Sequence, residues 1–417
     1  MTKTIWRAAA PAVLMAAWGG NHFSPLLLLY RRVDGYSQVE VNLFFAFYIL
    51  GLVPGFLLTG PIADRHGRRG TVAVALGLGV LGSVILMTGH TSVLWMCAGR
   101  LVCGVSVAAA MVAGTSWIKE LSEHDADPPA QARRASLTLT AGFGLGAGVS
   151  GALAQWGPAP TILPYAVQIA LSLLAAVPLS RALETAGPHA RTPGPHARTP
   201  GPAPAPAGLL PIGAQSSSAH LYASLCLPPG GWRRFAGVVA PMAPWVFGAP
   251  ALAFVVGPAL VADRTGDLGI AFATLLAVLT LVTGAGVQPW VPRLARLLRG
   301  RQGVAGLGVF AVAALLLAAD PAPLGVGVAA LLFGVAYGVC IVSGLVEVQT
   351  MAPPGSLAAL TGVYWSITYV GFAFPVVLAA IAGAGAGYPL LLSVVAVITL
   401  GCAVIVAIAL RKDGNVR

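Results

Sequence analysis

Charge is what this 417-residue sequence has least of. Only 9% of its residues are Asp, Glu, Lys or Arg, against about 25% in soluble domains, while 57% are hydrophobic and the mean hydropathy is +0.84. That deficit excludes a soluble globular enzyme. Acidic residues are scarcer still, 13 against 24 basic ones. In a soluble chain the formal net charge of +11 would point to nucleic acid, but here the charges fall between long uncharged runs. They read as membrane topology, with a lipid bilayer as partner and no nucleic acid. Cysteine is scarce too: Cys97, Cys103, Cys226, Cys340 and Cys402 make no CxxC pair, and all but Cys226 sit in apolar runs. Neither a disulfide framework nor a metal site is expected. The lack of a Walker-type phosphate loop argues against an ATP-driven pump, and no cofactor is expected.

What is there is a series of uncharged stretches long enough to cross a bilayer, for which about 20 apolar residues suffice. Divided at turn signals such as Gly157-Pro158 and Gly383 to Gly387, they give twelve spans: 8–30, 39–61, 71–89, 92–118, 134–156, 160–181, 235–261, 268–291, 302–319, 323–348, 357–382 and 388–410. Continuous runs without alternation exclude a β-barrel, and without water their peptide groups must bond internally, as helices. An even count puts both termini on one side. Apart from the intramembrane Arg100, every Lys and Arg except Arg31, Arg32 and Arg264 falls on that side, which is therefore expected to be cytoplasmic in a multi-pass protein of the plasma (inner) membrane. Lys3 and Arg7 precede a run longer than a signal h-region and without a clear cleavage site, so a retained first span is expected.

Between the sixth and seventh spans the segment GPHARTP occurs twice, at 187–193 and 194–200, followed by Gly201-Pro202-Ala203-Pro204-Ala205-Pro206. Such proline density reads as an extended cytoplasmic linker. The expected organisation is an N-terminal six-helix bundle at 1–183, a Pro/Gly-rich linker at 184–234 and a C-terminal six-helix bundle at 235–417. Small residues such as Gly142, Gly146 and Gly151, or Gly334 and Gly338, suit close helix crossings. Pro241, Pro244, Pro250, Pro258 and Pro375 remove backbone donors inside spans and are expected to kink them.

Between the second and third spans stands Gly60-Pro61-Ile62-Ala63-Asp64-Arg65-His66-Gly67-Arg68-Arg69-Gly70. Gly60 would let helices approach, Gly67 would permit a tight turn, and Asp64 with the arginines would make charge contacts at a helix end. This loop resembles the signature G-x-[LI]-A-D-R-x-G-R-[RK] of the major facilitator superfamily. The resemblance implies an all-α integral membrane fold of twelve transmembrane helices in two pseudo-symmetric six-helix bundles, with a cavity open alternately to each side. It also implies a gating role for Asp64, Arg65, Arg68 and Arg69, with Glu120 at the inner end of span four as the nearest partner. The second-half counterpart, 286–301, keeps basic residues but has no acidic one.

Span four carries Arg100-x-x-Cys103-Gly104-x-x-x-Ala108, which resembles a motif of the drug/proton antiporters in that superfamily. A guanidinium inside the membrane is costly and should face a cavity or a polar partner. Depth counting puts Asn21 and His22 of span one near its level, so an Asn21/His22/Arg100 cluster is expected. An imidazole there can carry coupling protons or simply hydrogen-bond a neighbour or substrate. In span five Gly142, Gly146 and Gly151 resemble the antiporter glycine signature, although Ala147 and Ser150 depart from it; a plain packing helix is the other reading. Glu347, at the inner end of span ten, is either a salt-bridge residue or part of a proton or substrate pathway. In span eleven Tyr364 and Thr368 share a helical face with Thr361, while Trp365 and Tyr369 lie beside it, a substrate wall or ordinary packing. Trp245, Phe247 and Gln288 are weaker cavity candidates.

The expectation is a monomeric secondary active transporter, not an enzyme, that exports small amphipathic organic molecules with protons as coupling ion. The alternative is proton-coupled or facilitated uptake of a small metabolite.

Overall fold

In the computed structural model residues 5–122, 128–185, 231–319, 322–351 and 357–414 are described. Among them are 12 helices long and apolar enough to cross a membrane, and no strand. The spans are Ala10–Val33, Val39–Ala63, Arg68–Thr88, Val93–Leu121, Leu137–Trp156, Leu163–Ser180, Gly231–Leu260, Ala262–Leu297, Gln302–Ala319, Pro323–Val348, Gly362–Gly383 and Tyr388–Lys412. Most ends lie within a few residues of those read from the uncharged runs. The eighth span reaches further, to Leu297, and the sixth starts late, after a turn in which Ala159 takes φ 50°. Of the linker expected at 184–234, residues 186–230 lie outside the described residues.

Local chemistry explains the irregularities. Pro25 has no N–H to offer the carbonyl four residues back, and the first span divides at His22 into helices Ala10–Asn21 and Phe23–Val33. The seventh span widens into π-type turns at Phe235–Val239 and Leu252–Val256, beside Pro241 and Pro258. The eleventh tightens to a 3-10 turn at Val370–Ala373 just before Pro375. The second span is started by a capping box: the Glu40 amide donates to Ser37 Oγ at 3.2 Å, and the Ser37 amide donates to Glu40 Oε2 at 2.8 Å.

Packing repeats between the two sets of six. The first span packs on the fifth, the second on the fourth, the third on the fourth and sixth; correspondingly the seventh packs on the eleventh, the eighth on the tenth, the ninth on the tenth and twelfth. Without a hydrophobic force between helices in lipid, such contacts depend on close approach. A methyl group at Gly104 would overlap the Tyr48 carbonyl where the fourth span crosses the second, and one at Gly338 would overlap the Gly284 carbonyl at the matching crossing of the tenth and eighth. The first, fourth, seventh and tenth spans are the most enclosed, with 89, 67, 78 and 61% of their apolar windows buried. They bring their side chains to the centre. The two sets meet where the fifth span packs on the eighth and the second on the eleventh.

Candidate functional site

Arg100 is 1% exposed and lies at the centre of the first six helices. Its guanidinium sits over three rings, 4.1 Å from the Tyr48 centroid, 4.3 Å from Phe23 and 5.7 Å from Phe45. Each ring face offers a cation about 0.5–2 kcal/mol in such a site. The rings attract the cation without neutralising it and accept no ordinary hydrogen bond, and Nε and Nη1 have no hydrogen-bond partner among the described residues.

The break in the first span at His22 sets the neighbouring polar group. His22 is fully buried, edge-on to Tyr165 at 4.9 Å, and neither ring nitrogen has a hydrogen-bond partner among the described residues. Tyr165 and Tyr30 share a hydroxyl hydrogen bond of 2.5 Å, and Tyr30 lies 5.5 Å from Phe23, the ring under Arg100. Asn21 donates to the Phe143 carbonyl at 3.3 Å and accepts from Ser24 Oγ at 2.9 Å. His22 and Arg100 are thus joined through an aromatic layer, while Asn21 turns to the fifth span.

A chain of contacts leads from Arg100 into the second set of helices. The Tyr369 hydroxyl lies 3.2 Å from Met111 Sδ. The Tyr369 ring is 4.2 Å from Phe247 and 5.2 Å from Phe56, and Phe372 is 5.5 Å from Phe45. Trp365 is 6.1 Å from Phe247. Tyr364 turns elsewhere: its hydroxyl donates to the Ile341 carbonyl at 3.3 Å, in a separate cluster with Phe235, Val239 and Val348. Thr368 is buried and donates to the Trp365 carbonyl at 2.7 Å. The side chain of Thr361 lies outside the described residues.

The end of the molecule farthest from the signature loop is shut between the two sets of helices. Gln155 uses both ends of its amide on the start of the eighth span, donating to the Asp267 carbonyl at 2.9 Å and accepting from the Ala271 amide at 3.0 Å. Arg32 donates to the Gly266 carbonyl. Gly151 leaves room for Thr274, which a methyl group would overlap. Gly142 and Gly146, by contrast, face Leu14 and Trp18 of the first span. Nearby, Asp34 pairs with His90 at 3.1 Å. Burial pushes the Tyr36 hydroxyl up to about 12, and it remains a donor to the His90 carbonyl at 2.7 Å.

At the opposite, arginine-rich end Gly67 turns the chain with φ 99°. The Glu184 carboxylate lies over that turn and accepts from the Arg68 amide at 2.7 Å and the Arg69 amide at 3.0 Å, a favourable place for an anion at a helix start. Arg68 pairs with Glu120 at 3.2 Å, joining the third and fourth spans. Arg69 donates to the carbonyls of Ser180 and Ala182, and Arg65 is exposed. The side chain of Asp64 lies outside the described residues. At Gly60 no atom lies within 4 Å of the place a Cβ would take, so no neighbour presses on that side of it here. Glu347 accepts from Arg234 Nε at 2.8 Å, joining the seventh and tenth spans at this end. The sequence reading missed Tyr48, Phe23 and Phe45, Gln155 and Glu184. For Glu184 the signal is a lone carboxylate within one turn of Arg181, which ends the uncharged run.

Residues 9–374 match the model of the Major Facilitator Superfamily. A multidrug resistance protein, MdtL of Klebsiella pneumoniae subsp. pneumoniae, is 28% identical over 86 residues, which is 21% of this chain and 22% of that relative. The chain thus matches about a fifth of that relative's length. Two crystal structures of the nucleoside transporter NupG are similar in fold. One, of a point mutant, has a TM-score of 0.69 at 14% identity and covers 99% of both chains. The other has a TM-score of 0.66 at 13% identity, covering 98% of this chain and 99% of its own.

Proposed function

Because this chain belongs to the major facilitator superfamily and is therefore a secondary transporter, we propose that it exports small amphipathic organic molecules by alternating access, driven by inward proton flow. The observation that carries this reading is the Arg100 enclosure, continuous through Phe45 with Phe372 at the junction of the two sets of helices. An aromatic, largely neutral wall around one cation suits amphipathic molecules. Export is supported by the Arg100 motif and by the likeness, over a fifth of the chain, to a multidrug resistance protein.

The moving units are the bundles at 1–183 and 235–417, with both termini and the arginine-rich end in the cytoplasm of a cell bounded by this membrane. Gln155, Arg32 and Gly151 close the outer end when the site faces inward. Opening that end requires their contacts to separate, while Arg68, Glu120 and the Gly67 turn hold the third and fourth spans at the inner end. His22 carries the coupling proton, the one imidazole near the centre of the first bundle. Asn21, Tyr369, Trp365 and Thr368 border the path, while Tyr364 and Glu347 support it from behind through packing and the Arg234 pair. The transporter acts as a monomer.

The test is a strain lacking its own exporters. Expression should raise resistance to dyes or antibiotics, and everted vesicles should lose ΔpH-dependent transport in a His22→Ala variant. Accumulation of a labelled nutrient without resistance would establish uptake instead.

A further inference from the structure

None of the 13 Asp and Glu residues falls in the interior of a span, and Arg100 is the one Lys or Arg that does. Glu40, Glu120 and Glu347 stand at span ends, and Asp263 and Asp267 in the first turns of the eighth span; Glu120 and Glu347 are occupied by Arg68 and Arg234. The membrane interior therefore holds one permanent positive charge and no fixed negative charge to balance it. A guanidinium does not give up its proton. Its three rings supply induced and quadrupole attraction, yet two of its nitrogens remain buried with no acceptor in reach among the described residues. A buried, unpaired charge at a site meant to open is a place waiting for a counter-ion.

Resting on the transport reading above, we propose that Arg100 is the anchor for an organic monoanion, and that the transported molecules are aromatic carboxylates. One guanidinium with no second Lys or Arg in the interior of any span matches a single negative charge; a phosphate ester dianion would leave charge uncompensated. A carboxylate also fits the planar donor geometry of a guanidinium. Tyr48 and Phe45 from the first set and Tyr369, Phe372 and Phe247 from the second, which pack ring on ring across the junction here, would line a flat apolar body once the two sets part. Organic cations are disfavoured by the same charge that anchors anions.

The full chain purified in detergent tests this with four probes of one shape: benzoate, benzamide, benzylammonium and phenyl phosphate, read by thermal shift. Benzoate should bind about tenfold or more tightly than the other three, the size of a lost charge-assisted hydrogen bond. The preference should vanish in Arg100→Gln and be only partly kept in Arg100→Lys. No benzoate shift, an equal or larger shift with benzylammonium or benzamide, or a benzoate shift unchanged in Arg100→Gln overturns the proposal. Should Arg100→Gln fail to fold, the wild-type probe series decides alone. Counterflow in proteoliposomes separates the two readings. Arg100-dependent benzoate binding without counterflow upholds the anion site and removes transport; counterflow of a cationic dye without benzoate binding upholds transport and overturns the anion site.

Discussion

The centres of the two six-helix sets are built from different chemistry. In the first set, Arg100, His22, Tyr30, Tyr165 and Gln168 are buried polar groups, several with atoms that have no hydrogen-bond partner among the described residues. In the second, Trp245, Phe247, Phe310, Phe333 and Phe372 pack as rings against rings. The folds repeat, but the electrostatics do not. One side supplies charge and direction, and the other supplies a shaped apolar wall, so the two should respond differently to substitution.

The largest effect is expected on the polar side. Arg100→Gln should lower transport by tenfold or more, about 1.5–3 kcal/mol of lost charge-assisted bonding, with the protein still monodisperse. Comparable transport by wild type and variant would erase the contrast. On the aromatic side, Tyr369→Phe keeps the ring stacking but loses the hydroxyl that bonds Met111 Sδ. Its cost should be near the ~1 kcal/mol of one hydrogen bond and appear as a modest rise in apparent KM. Transport as low as in Arg100→Gln would show that the aromatic side carries more than shape.

The outer closure gives the next test. Gln155→Ala removes two hydrogen bonds at the start of the eighth span, worth about 1–3 kcal/mol together, and should shift the population toward the outward-open form. Spin labels at Val33 and Leu268 should then report a longer distance population; an unchanged distribution would mean the closure is held elsewhere. The smallest effect is expected from Glu120→Gln. Its pair with Arg68 is partly exposed, so stability should change by less than about 1 kcal/mol. A large loss of thermal stability would make that pair part of the framework.

Much of this architecture is legible in one sequence because lipid imposes a simple rule: uncharged runs must be helices, and their ends must carry the charge. The twelve spans follow from that, and so does the irregular seventh span, whose prolines each remove a donor. The break at His22 is equally local, set by Pro25, although its consequence appears only when Tyr165 is seen to pack on the imidazole. The enclosure of Arg100 is not local. It requires Tyr48 and Phe45 from the second span and Phe23 from the first to meet one face of the fourth, and helical periodicity does not say which faces meet. The same limit misdirects the eleventh span: spacing groups Tyr364 with Thr368, while packing sends Tyr364 to Ile341 and leaves Tyr369 and Trp365 at Phe247. Nor does the motif say which of its glycines is pressed: a Cβ would meet Glu184 at Gly67 and nothing at Gly60. Glu184 lies after the last apolar residues of its span, where no periodic signal remains, yet it seats the helix start at Arg68.

The central claim is that the Arg100 junction is reached from one side of the membrane at a time. In a variant without native cysteines, Met111→Cys places a thiol beside Tyr369, and an impermeant maleimide is added from either side of oriented vesicles. The account predicts labelling from the arginine-rich side, and from the opposite side only after Gly151→Val forces the fifth and eighth spans apart. Equal labelling from both sides in the unaltered gate, or none from either side in both forms, would contradict it.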